Sequence, residues 1–297
     1  MPPVVDITPH VQILSEPATS QGAEWLSQYH GIYTDPSDGS KKKVLLSIPN
    51  TDGLDADPTV FIRILNRIHR EMHIWILAHH PNVVQFLGIY KSPEEMQWKT
   101  PALVSAFCEG GTIRDYLERT PDANRFSLVV DIAKGLDYLH REGILHGNLS
   151  PESVMIQEGG IAALTDFGKA KLVGLQGHTT QSRVTTRYVS PEAWRKKGTA
   201  CLTAEADVYS FGMTALYTLS GKEPFYTVET EDELRHETSG GTHLVLEKYP
   251  AVQSHHWSLI EPCWDYDAKS RPSIHETLGS LLSFSDAHRD SEAKSGG

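Results

Sequence analysis

Cysteine is scarce in this chain, and the way it is spaced already narrows the chemistry. Its three cysteines, Cys108, Cys201 and Cys263, stand far apart with no CxxC pair. Neither a disulfide frame nor a cysteine zinc site is expected, and the thiols read as those of a reducing compartment. Positive charge is also short: 27 Lys and Arg against 38 Asp and Glu leave a formal charge of −11. Without a domain-wide basic field, a general nucleic-acid binder is excluded. Long apolar runs are missing too, none approaching the roughly 20 residues that span a bilayer. The stretch MPPVVDITPHVQIL has no basic segment leading into an apolar core, so no signal peptide is expected there. Internal repeats and low-complexity tracts are absent. A soluble protein of the cytoplasm or nucleus is the expectation.

What is present is enough apolar material for a large domain or two lobes, 39% of 297 residues. The pattern changes along the chain. Residues 1–20, rich in Pro, Thr and Ser, read as a lead-in with a short strand. Two β-type runs, KKVLLSI and NVVQFLGIY, flank PTVFIRILNRIHREMHIWILAHH. In that stretch Phe61, Ile64, Leu65, Ile68, Met72 and Trp75 recur at helical spacing. Beyond Cys108 the pattern is mainly helical. TIRDYLERT and SLVVDIAKGLDYLHREG are amphipathic, with Gly143 at a helix stop. EADVYSFGMTALYTLSG is apolar on nearly all sides, as a buried helix would be. The polar end DAHRDSEAKSGG, within residues 284–297, is expected to be disordered.

A β-rich segment followed by a helical one, with motifs at the junction, resembles the eukaryotic protein kinase fold. The resemblance is carried by HREMHIWILAHHPNVVQFLGIY, LVSAFCEGGTIRDYL, HGNLSPESVMI, TDFGKAKL, TTRYVSPEAW, DVYSFGM and CWDYDAKSRPS, in the family's order. The last two are similar to the tyrosine-kinase-like branch. The resemblance implies an α+β bilobal fold over residues 21–283. Its small lobe would end near residue 105, with a hinge over 105–111 and a helical lobe over 112–283.

It also implies which residues hold the fold. Glu192 would pair with Arg271 as a bidentate fastener. Asp207 would accept backbone N–H bonds from the loop at His146. Trp75, Phe86, His146 and Phe167 would stack as the family's spine, which makes His146 a packing residue rather than a general base.

The chemical positions depart from the family. The glycine-rich loop that covers phosphates is missing: its glycine positions fall near Gln21, Ala23 and Leu26. Ser47 stands where the strand-three lysine belongs, opposite its helix partner Glu71. Lys41–Lys43 precede it and read as a solvated turn. Leu45 replaces a small residue that would roof the adenine and is three carbons bulkier than alanine. Ser105, Phe107 and Met155 would complete that nucleotide pocket.

Gly147 stands at the loop arginine, Asn148 at the catalytic aspartate, Ser150 at the loop lysine and Ser153 at the metal-binding asparagine. Thr185 keeps the threonine typical of serine/threonine kinases. An amide positions a hydroxyl but does not take its proton as a carboxylate does. Asp166 of DFG is left as a metal ligand or, equally, as a carboxylate kept for local hydrogen bonds. Ser153 would be at most a weak ligand.

The reading is a pseudokinase, a signalling scaffold or allosteric regulator acting through protein partners such as an active kinase. ATP and Mg²⁺ binding would be weak or lost, with no nucleic-acid partner and no membrane span. The alternatives are an atypical low-activity serine/threonine kinase and, more distantly, another transfer chemistry on the same fold.

Overall fold

The computed structural model describes residues 3–14, 26–49, 58–91, 100–173, 186–195, 202–241 and 243–295. The chain forms two compact units, residues 1–109 and 110–297. Together they make an α+β fold.

The first unit is built on one five-stranded sheet. Its strands are β1 (Val11–Ile13), β2 (Leu26–Thr34), β3 (Lys41–Pro49), β4 (Phe86–Tyr90) and β5 (Ala102–Ala106), with helix α1 (Pro58–Leu77) between β3 and β4. The strands lie in the order β1-β2-β3-β5-β4. Strand periodicity decides the two faces of β3. Val44, Leu46 and Ile48 are buried in a core with Ile7, Tyr90, Ala102 and Val104. The intervening Leu45 and Ser47 are half-buried on the other face. From α1, Ile68 and Met72 pack on Leu103 with Phe86 and Ile89, as the helical spacing predicts. The side chains of Phe61 and Ile64 lie outside the described residues.

The short strand expected within residues 1–20 is β1, where Val11–Ile13 pair with Gly31–Tyr33, and Ile7, 3% exposed, adds this segment to the core. Lys41–Lys43 do not form the expected turn. They open β3, paired with Thr34, Tyr33 and Ile32. The turn is made earlier, where Asp35 accepts the Ser37 amide and hydroxyl and the Gly39 amide donates to the Asp35 carbonyl.

The second unit is helical, with two small hairpins that carry the loop motifs. It begins with α2 (Ile113–Arg119), capped by Thr112 and Asp115 bonding each other's backbone, and α3 (Arg125–Arg141). Strands β6 (Ile144–Leu145) and β9 (Lys171–Leu172) pair, as do β7 (Val154–Ile156) and β8 (Ala162–Leu164). Then follow α4 (Pro191–Arg195), α5 (Ala204–Ser220), α6 (Glu231–Ser239), α7 (Ser254–Ile260) and α8 (Ile274–Ser295). Helix α5 is buried from Asp207 through Leu219 except Ser210, and α3 packs against both α5 and α8.

The expected disordered end is also corrected, because α8 continues through Ser295. Its Ala, Glu, Lys and Arg are good helix formers, so a polar sequence there does not by itself argue for a loop. No helix among the described residues is long and apolar enough to cross a membrane. Cys108 and Cys263 are buried, and burial pushes their thiols up to about 11 and about 12. That fits unreactive thiols. Cys201 lies outside the described residues.

Leu46 has 0% exposure in the sheet core. Leu46→Ala is expected to cost about 2–5 kcal/mol of the first unit's stability through lost burial and a cavity. Urea denaturation checks this, and a loss near zero would contradict the assignment of faces on β3.

Candidate functional site

Arg271 fastens the helical unit. Its Nη1 and Nη2 donate to the Glu192 Oε1 and Oε2 at 2.8 and 2.9 Å. Nη1 also donates to the Glu205 carbonyl and Nε to the Asp265 carbonyl. The guanidinium lies 5.0 Å from the centre of the Tyr209 ring. The Arg271 side chain is fully buried, so losing its partner would strand a charge. Burial alone would raise the Glu192 carboxyl. The bond and charge of Arg271 outweigh it and hold Glu192 below the usual carboxylate range.

Asp207, in the first turn of α5, anchors the HGN loop. Its Oδ2 accepts the His146 amide and its Oδ1 the Gly147 amide, each at 2.8 Å. The His140 Nε2 lies 3.0 Å from Oδ2. Burial works against the charge here too, and these donors still keep the carboxyl below its ordinary value. Gly147 sits at φ 71°. A Cβ there would lie 2.6 Å from the Leu202 side chain and 3.1 Å from the Lys169 carbonyl. A side chain at this position is therefore strained twice over.

His146 is fully buried. Its Nδ1 accepts the Asn148 amide at 3.2 Å. That assigns the proton to Nε2, which donates to the Thr165 carbonyl at 2.9 Å. Burial lowers its pKa and favours this neutral form. The ring lies 5.5 Å from that of Phe167. In the first unit, Trp75 and Phe86 lie 5.4 Å apart.

The Asn148 Nδ2 donates to the Asp166 Oδ2 at 2.6 Å. Its Oδ1 accepts from the Lys169 Nζ at 2.9 Å. Asp166 adopts a left-handed backbone, φ 63° and ψ 60°, which costs energy outside glycine and marks functional loops. Lys169 closes a 3₁₀ turn, Phe167–Lys169, and is only 8% exposed.

Ser150 and Ser153 form a separate closed set. The Ser150 amide donates to the Ser153 Oγ, which donates back to the Ser150 carbonyl, both at 3.0 Å. They are 2% and 1% exposed. No group of three or more His, Cys, Asp or Glu able to hold a metal occurs among the described residues.

The positions read for a nucleotide fall on both units. Leu45 pairs in register with Ser105, as does Phe86. Phe107 packs its ring 4.9 Å from His30 and donates its amide to the Lys43 carbonyl. Ser47 pairs with Gln28 on β2, and Glu71 is half-buried on α1. Lys43 forms an exposed ion pair with Glu109 at 2.6 Å. Met155 bridges to Thr112 in the second unit. Gln21, Ala23 and Thr185 lie outside the described residues.

Sequence reasoning passed over Lys169, although it stands inside TDFGKAKL. The available signal was spacing, since three residues after Asp166 on a tight turn bring a long cation back toward the loop. It also missed His140, six residues before His146.

The chain belongs to the protein kinase family: residues 57–282 match the protein kinase domain. Among curated relatives it is 30% identical over 230 residues to Serine/threonine-protein kinase 12 of Arabidopsis thaliana, covering 74% of this chain and 48% of the relative. It is 26% identical to Serine/threonine-protein kinase STY46 of the same plant, over 84% of this chain and 42% of the relative. To MAP kinase kinase kinase wis4 of Schizosaccharomyces pombe it is 25% identical, over 75% of this chain and 16% of the relative. The chain thus spans half or less of these relatives' length.

Glu192, Asp207 and His146 all have pKa values lowered by folding. Each therefore contributes stability that is present above its unfolded pKa and lost as pH falls through the folded value. Stability should decline from about pH 6.5, as unfolded histidine takes a proton, and more steeply below about pH 4.3. Urea unfolding at neutral, mildly acid and acid pH tests this, and equal stability throughout would refute it. Arg271→Ala should cost about 3–5 kcal/mol at neutral pH, because it leaves the Glu192 carboxylate uncompensated.

Proposed function

We propose that this chain is a pseudokinase of the tyrosine-kinase-like branch, a cytoplasmic signalling scaffold or allosteric regulator acting through protein partners. One observation carries the reading. At the position where the family places the proton-accepting carboxylate, Asn148 donates to Asp166 at 2.6 Å and holds Lys169 on its carbonyl. Both polar atoms of the amide are thus engaged by the Asp166–Lys169 segment that follows β8. A substrate hydroxyl would find no base there.

The residues present also do not fit the divalent ions of phosphoryl transfer. Ser153 spends its hydroxyl inside the loop. One Asp166 oxygen faces an N–H donor. Ser47 and Ser150 supply no cation for phosphate, and Leu45 adds bulk on the same face of β3 as Ser47. Base loss alone slows such reactions about 10²–10⁴-fold, but losses of positioning and charge fall on binding as well. Weak or absent ATP binding follows.

One observation favours a second reading, an atypical low-activity serine/threonine kinase. Lys169 brings an ammonium to Asn148, and relatives such as STY46 are named serine/threonine-protein kinases.

The test is autophosphorylation with radiolabelled ATP in Mg²⁺ and in Mn²⁺, beside an Asp166→Ala control. The expected signal equals that of the control. A wild-type signal well above it would reject the pseudokinase reading in favour of the second.

A further inference from the structure

Lys169, Asn148 and Asp166 form a chain of charge: ammonium, amide, carboxylate. The Asn148 carbonyl faces the cation and its NH₂ faces the anion, so its dipole is aligned by both ends and each bond strengthens the other. The ammonium is nearly buried, at 8% exposure, where an uncompensated charge is costly. The formal sum is +1 for Lys169 and −1 for Asp166, which is zero. A divalent ion on the Asp166 Oδ2 would have to displace the Asn148 N–H donor, and among the described residues no group of three or more His, Cys, Asp or Glu stands ready to hold it.

We propose that Lys169 is an internal cation that takes the place of a divalent metal ion at Asp166. The loop then reaches its ordered form, with Asp166 in the left-handed region, without metal. The unit is metal-indifferent by construction. This deepens the non-catalytic reading and rests on it, but it is tested by melting rather than by phosphoryl transfer.

The experiment is thermal melting of the full chain, with EDTA or with millimolar Mn²⁺ alone, for wild type, Lys169→Met, Asp166→Asn and the double variant. A metal that binds the native state raises its melting temperature by mass action. Wild type is expected to melt at the same temperature with and without Mn²⁺. Lys169→Met should melt several degrees lower and recover part of that loss in Mn²⁺, because Asp166 is left uncompensated. The double variant should lie above the sum of the two single losses, since it removes both charges together.

A wild-type rise in Mn²⁺ exceeding that of the double variant would overturn the proposal. Additive losses in the cycle would do the same, as they would mean that Lys169 merely packs. If Lys169→Met fails to fold, a folded double variant supports the charge argument, and failure of both variants overturns it. Phosphoryl transfer by wild type would reject the non-catalytic reading whatever the melting shows. A Mn²⁺ response without transfer would reject this inference alone.

Discussion

The carboxylate of Asp207 is the contact on which the geometry of the second unit turns. It is 2% exposed, yet it stays charged because two backbone amides and a histidine surround it. Holding the His146 and Gly147 amides fixes where the chain goes next, and Gly147 alone can follow the left-handed turn there without striking Leu202. Asn148 is thereby delivered to Asp166, and His146 to Phe167. A side chain from α5 thus sets the hydrogen bonding of a loop that is 60 residues away in sequence.

The retained charges and the altered ones belong to different jobs. Asp207 and the Arg271–Glu192 pair are satisfied entirely by protein groups, with bidentate geometry in the second case. A buried pair of that kind resists loss of either partner, because the remaining charge would be stranded. Asn148 and the Ser153 hydroxyl are likewise satisfied by protein groups, the first by Asp166 and Lys169 and the second by the Ser150 backbone. Groups that need a substrate or a metal to complete their hydrogen bonds are what phosphoryl transfer uses. Here Asn148 and Ser153 complete their hydrogen bonds with protein groups alone.

Much of this was legible in the sequence. The spacing of Ile68, Met72 and Trp75 pointed to the face of α1 that is buried, and KKVLLSI was read as a strand. The Arg271–Glu192 contact followed from motif order. Two features were not legible, each for a physical reason. The end of α8 has a polar composition that suits a solvated helix as well as a coil. Lys169 had spacing as its sole signal, and it is the turn Phe167–Lys169 that brings its ammonium to the Asn148 carbonyl.

That last contact changes what the substitution at residue 148 means. Taken alone, asparagine for aspartate removes one proton acceptor. In its setting it replaces an acceptor with a donor aimed at a carboxylate 2.6 Å away, which converts repulsion into a bond. An aspartate at 148 would set two carboxylates face to face, and like charges at such distances do not both ionise readily. Lys169 would then have to serve both anions from a nearly buried position, or an ion would have to enter between them. Asparagine relieves that demand by donating an N–H to the carboxylate instead. On the proposed reading, the missing proton acceptor and the missing need for a metal at Asp166 trace to this one hydrogen bond rather than to two independent changes.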